Sequence, residues 1–88
     1  MPINKSYFLK NIKDRYMIIP TTNNNVNMDK IYNINEIGAR IFELLSIDKN
    51  TDEIVEILLT EYAIDIDTLK NDVLEFISEL KKRGIYYD

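Results

Sequence analysis

Residues 6–20 hold two β-favouring runs, near 6–12 and 15–19, on either side of Lys13-Asp14, a pair suited to a tight turn. Pro20 closes the second run, because it has no N–H to donate to a ladder. Thr21 to Asn27 is polar and asparagine-rich, and asparagine accepts turn conformations by bonding nearby backbone. A third short strand near Met28–Asn33 then completes an antiparallel meander.

From Asn33 the period changes. Ile34, Ile37, Ile41, Leu44 and Leu45 recur at three- and four-residue spacing, which puts them on one face of a helix over about 35–46. Asn33 and Glu36 have the spacing of a capping box. Asp48-Lys49-Asn50 interrupts the pattern, and Asn50 or Thr51 caps a second helix over about 51–62, with Ile54, Val55, Leu58, Leu59 and Tyr62 as its apolar positions. A third helix is expected over about 67–83, with Ile66, Leu69, Val73, Ile77 and Leu80 as its core stripe and Leu74 and Phe76 on opposite flanks. Gly84 stands where a left-handed terminator belongs, and Ile85 follows to pack back. Lys81, Lys82 and Arg83 fall in the last turn, where cations favour the helix dipole, so this basic triplet reads as helix chemistry before nucleic-acid chemistry. The order is β-β-β-α-α-α, an α+β chain of one domain over residues 1–88.

Composition removes whole classes of chemistry. The 88 residues include no cysteine and no histidine, which takes away thiol nucleophiles, thiolate metal sites and the usual base near neutral pH. With two glycines, no phosphate-cradling loop is evident. Asp48, Asp52, Glu53 and Glu56 lack the spacing of a calcium loop. No catalytic residue, metal site or cofactor is expected. The start carries no apolar run of the secretory kind and no stretch is long enough to span a membrane, so a cytoplasmic protein is expected.

The net charge of −4 is unevenly spread. Residues 1–33 are net basic through Lys5, Lys10, Lys13, Arg15 and Lys30, whereas residues 48–79 set ten acids against Lys49 and Lys70. That acidic stretch holds the second and third helices.

A family resemblance rests on four ordered segments. Asn33-Ile34-Asn35-Glu36-Ile37-Gly38-Ala39-Arg40-Ile41-Phe42, continued by Glu43-Leu44-Leu45, is similar to the Leu-Asn-Glu-x-Gly-Ala-x-Ile-Trp-Glu-Leu-Leu segment of PqqD-like proteins. Asn50-Thr51-Asp52-Glu53-Ile54-Val55 resembles the family's Arg-Thr-x-Glu-Glu-Ile-Val at the start of the second helix, and Glu61-Tyr62 follows. Asp72 to Leu80 looks like Asp-Val-x-x-Phe-Leu-x-x-Leu, with Gly84-Ile85 as the family's short Gly-apolar tail. The likeness covers about residues 28–85; Asn23 to Asn27 replaces the Gly-rich hairpin common in the family.

The resemblance implies a winged-helix-like recognition element for ribosomally made, post-translationally modified peptides. Such a peptide chaperone of natural-product biosynthesis binds a precursor's leader segment and presents its core to a separate modification enzyme or leader peptidase. It further implies that the leader adds as a strand to the third strand and lies against the third helix. On this chain that nominates Asp29, Lys30, Ile31, Tyr32 and Asn33 from the strand, and Leu69, Asp72, Val73, Phe76 and Glu79 from the helix, with Arg83 on the same flank. The last strand of a meander is an edge, open to a guest strand or to a second copy by pairing or swapping.

The alternative by architecture is a winged-helix DNA-binding regulator. Duplex binding requires several phosphates to be neutralised by Lys or Arg, and the acidic helices oppose that. With the strands preceding the helices, no C-terminal hairpin wing is left. Neither nucleic acid nor membrane is an expected partner.

Overall fold

The computed structural model describes residues 3–21 and 31–87. Three strands, β1 (Tyr7–Ile12), β2 (Arg15–Pro20) and β3 (Tyr32–Ile34), precede three helices, α1 (Glu36–Ser46), α2 (Thr51–Glu61) and α3 (Ile66–Lys82). The sheet is antiparallel in the order β1-β2-β3, which leaves β3 at one edge. Lys13 takes the left-handed conformation (φ 56°) that the tight turn at Lys13-Asp14 requires.

Side chains alternate between the two faces of the sheet. Leu9, Ile18 and Tyr32 lie opposite one another in register and join the core on the helix-covered face. One residue along, Phe8 and Ile12 point to the other face and stay exposed. The core is completed by Ile41, Phe42, Leu44 and Leu45 of α1, Ile54, Val55 and Leu58 of α2, and Leu69, Val73, Ile77 and Leu80 of α3. No buried polar side chain occurs among the described residues.

Most helix ends have an identifiable cause. Asn50 and Glu53 form a reciprocal capping box at α2, with bonds of 2.9 and 3.0 Å. Asp65 caps α3 through Asp67 N and Thr68 N. Gly84 (φ 72°) terminates α3 in a Schellman arrangement: Ile85 N donates to Leu80 O and Gly84 N to Lys81 O. Ile85 then turns back into the core. Asp48 (φ 64°) ends α1 the same way, with Lys49 N bonded to Leu44 O and Asp48 N to Leu45 O. Beyond α3, Tyr86 makes an antiparallel bridge with Ile3, and Asn4 N donates to Ile85 O at 2.7 Å.

Three expectations are corrected. Among the described residues the third strand is Tyr32–Ile34, ending one residue beyond the expected Asn33, and Ile31 is not in a strand; the expected start at residues 28–30 lies outside the described residues. The cap of α1 is therefore Asn35, not Asn33: Asn33 and Ile34 still pair with β2, so helical geometry starts two residues later than the capping-box spacing implies. Glu36, freed from capping, accepts a 2.6 Å bond from the Tyr62 hydroxyl at the far end of α2. Ile66, assigned to the core stripe of α3, is 44% exposed, because as the first helical residue it lies beyond the packed part of the helix.

Candidate functional site

An open groove of about 420 Å³ runs between β3, the first turns of α1 and one flank of α3. Its walls are Tyr32 from β3, Asn35, Ile37, Gly38 and Ile41 from the start of α1, and Asp72, Glu75, Phe76 and Glu79 from α3. Residues 72, 76, 79 and 83 recur at helical neighbour spacing and so share one flank of α3, which meets β3 where Phe76 and Arg83 reach Tyr32.

The floor is aromatic. Tyr32 stacks on Phe76 with ring centroids 6.1 Å apart and planes inclined by 22°. The Arg83 guanidinium sits 3.9 Å from the Tyr32 ring centroid while its Nε donates to Glu79 at 2.9 Å. Burial raises the Tyr32 phenol pKa above its ordinary value, and the Glu79 carboxylate adds to the rise while Arg83 opposes it. Tyr32 thus stays neutral, with its ring held by Phe76 and Arg83 at the end of the groove nearest Arg83.

Gly38 sets how closely α1 approaches this floor. A Cβ there would lie 3.2 Å from Phe76 Cε1, 3.2 Å from Asn35 Oδ1 and 3.3 Å from Ile34 Cβ. Asn35 Oδ1 is itself fixed, since it accepts from Gly38 N at 2.7 Å. The helix N-terminus, the end of β3 and the Phe76 ring therefore meet at a point where only hydrogen fits without displacement.

Two polar ties hold α1 against the end of α2. Arg40 makes a two-pronged pair with Glu61 at 2.9 and 2.7 Å, which lowers the Glu61 pKa and raises that of Arg40. The bond from Tyr62 to Glu36 pushes the Tyr62 phenol up to about 12.

The groove gathers Tyr32, Asp72, Phe76 and Glu79 of the residues nominated from sequence. Ile31 is half-buried just before β3 and does not line the groove. Asn33 is exposed and, paired with Met17, belongs to the sheet face away from the helices. Leu69 and Val73 are both 0% exposed and sit in the core beneath the groove. Asp29 and Lys30 lie outside the described residues. Sequence reasoning missed the contribution of Asn35, Ile37, Gly38, Ile41 and Glu75. One signal was available: a glycine inside an otherwise helical pattern marks close approach of another group.

The family model "Coenzyme PQQ synthesis protein D (PqqD)" matches residues 21–85, well over half of the chain. Among curated proteins, none matches the sequence. Among solved structures, TbiB1 in complex with the TbiA(beta) leader peptide is similar, with a TM-score of 0.76 over 98% of this chain and 94% of that one. At 23% identity that likeness speaks to the fold.

Proposed function

This chain belongs to the PqqD family, and from that premise we propose that it is a non-catalytic recognition element. It binds the leader segment of a ribosomally made precursor peptide and presents the rest to a separate modification enzyme or peptidase. The leader adds as an extra strand along β3 and packs its side chains into the groove against α3. The observation that carries this reading is that β3 is a sheet edge with a side-chain groove directly beside it. The similarity in fold to TbiB1, solved with a leader peptide, supports it.

Energetics assign the larger part to the groove. Outward-facing backbone groups belong to alternate residues of an edge strand, so a strand as short as β3 offers few of them. Roughly two to four bonds at a net ~0.5–1.5 kcal/mol each amount to ~1–6 kcal/mol, before the guest's ordering is subtracted. Micromolar binding requires about 8 kcal/mol net. Tyr32, Phe76, Ile37 and Ile41 supply apolar contact for the difference. The carboxylates on this flank of α3 would repel nucleic-acid phosphates, which disfavours a DNA-binding role for the same helix.

The test uses fluorescence anisotropy with a labelled synthetic leader of the precursor encoded beside the gene. N-methyl groups are placed one at a time along the peptide backbone. Strand addition predicts losses that alternate, every second N-methyl weakening binding and those between leaving it unchanged. Phe76→Ala is expected to weaken binding at least tenfold, about 1.4 kcal/mol, with the fold retained by circular dichroism. A smooth, non-alternating N-methyl profile together with unaltered F76A affinity would reject the groove.

A further inference from the structure

The groove is electrically lopsided. At one end Glu79 is neutralised by Arg83, whose guanidinium also covers Tyr32. Toward the other end Asp72 and Glu75 line the wall, both exposed and neither in an ion pair among the described residues. Among the described residues no lysine or arginine lines the groove to balance them. Between these ends lies the apolar floor of Phe76, Ile37 and Ile41.

The direction of the asymmetry is set by the chain. Tyr32 meets Phe76 and Arg83, while Gly38, after β3, comes close to Phe76 and shares the groove lining with Asp72 and Glu75. Along α3, moving from Arg83 back through Phe76 to Asp72 therefore moves from the compensated end to the negative end. Asp72 precedes Phe76 by one helical turn, about 6 Å along the axis at 1.5 Å per residue. A guest strand rises about 3.3 Å per residue, so that distance is roughly two residues, and side chains two apart on a strand point to the same side.

We infer that the groove selects guests in which a bulky apolar or aromatic side chain, seated on Phe76, is followed or preceded at a spacing of two by a lysine or arginine that meets Asp72 and Glu75. The inference rests on the peptide-binding reading above and specifies its guest. The apolar residue supplies affinity through contact area, and the cation supplies selection, because a carboxylate in its place would face two like charges. At the N-terminus of α1 the Asn35 side chain already occupies the Gly38 N–H, which leaves one donor fewer to offset the two carboxylates.

The experiment is selection of a displayed random-peptide library on the full chain, beside the Asp72→Lys/Glu75→Lys variant. Both substituted positions are solvent-exposed, so the variant is expected to fold, with circular dichroism as the check. The wild-type chain should enrich peptides with the apolar-x-Lys/Arg or Lys/Arg-x-apolar pattern, and the variant should enrich Asp or Glu at the cationic position. A wild-type-selected peptide should lose at least tenfold affinity for the variant and regain it when its cation is changed to Glu. Enriched apolar peptides with no charge preference, in either protein, would overturn the inference while leaving peptide binding intact. Failure to enrich any peptide would overturn both.

Discussion

Gly38→Ala is the substitution that most directly probes the junction of β3, α1 and α3. On propensity alone it should help, because alanine is better than glycine in a helix by up to about 1 kcal/mol. Three contacts oppose that gain. Asn35 Oδ1 lies 3.2 Å from the new methyl and is held by its capping bond to Gly38 N, so it can yield only by weakening the cap. Losing a cap costs about 1 kcal/mol. Ile34 Cβ, 3.3 Å away, is rooted in a strand paired with Tyr16 and has little freedom to retreat. The Phe76 ring edge at 3.2 Å is the softest neighbour, and displacing it off-rotamer costs about 0.5–1.5 kcal/mol. The costs exceed the gain, and the variant is expected to be destabilised by about 0.5–1.5 kcal/mol, roughly 4–8 °C in Tm per kcal/mol for a domain of this size. Urea titration followed by circular dichroism measures it, and the Tyr32–Phe76 ring contact is read by NMR ring-current shifts. A variant more stable by the full propensity gain, with unchanged aromatic shifts, would refute the idea that this glycine is required by close packing.

Two further predictions address the ties between helices. Tyr62→Phe removes the bond to Glu36 and should cost about 0.5–1 kcal/mol, the low end of the range for hydrogen bonds because the pair is near solvent. Because the folded pKa of Tyr62 is raised to about 12, mainly by that bond, the stability it adds is fully present below pH 10 and is lost as pH rises toward 12. The difference in urea midpoint between wild type and Y62F should therefore close between pH 10 and 12; a gap constant across that range would contradict it. Asn50→Ala deletes one half of the capping box and should cost about 1 kcal/mol, with amide exchange accelerating first at the start of α2; unchanged exchange there would show that the cap carries no weight.

Much of the architecture was legible because several local signals agreed. The turn at Lys13-Asp14, a cap at Asn50 or Thr51 and a terminator at Gly84 each specify a local backbone geometry, and the structure uses Lys13, Asn50 and Gly84 in those places. The start of α1 was misread because Ile34 fits two patterns at once: it continues the helical spacing of Ile37 and Ile41, yet it is the last residue of β3. Periodicity cannot separate a strand's final apolar residue from a helix's first, and the pairing with Tyr16 decides it. The groove was half legible. The α3 wall follows from helical spacing, but which residues of α1 complete it depends on how near that helix comes, and that distance is set by a missing side chain at Gly38. Leu69 and Val73 show the converse: their place on the third helix was clear, but pattern alone does not separate the flank that meets the groove from the stripe under it.

The stitch between Asn4 and Ile85, with Ile3 beside Tyr86, ties the segment before β1 to the segment after α3. The two segments share one fate: fraying at Ile3 and Asn4 withdraws the backbone partners of Tyr86 and Ile85, and unwinding behind Gly84 withdraws those of Ile3 and Asn4.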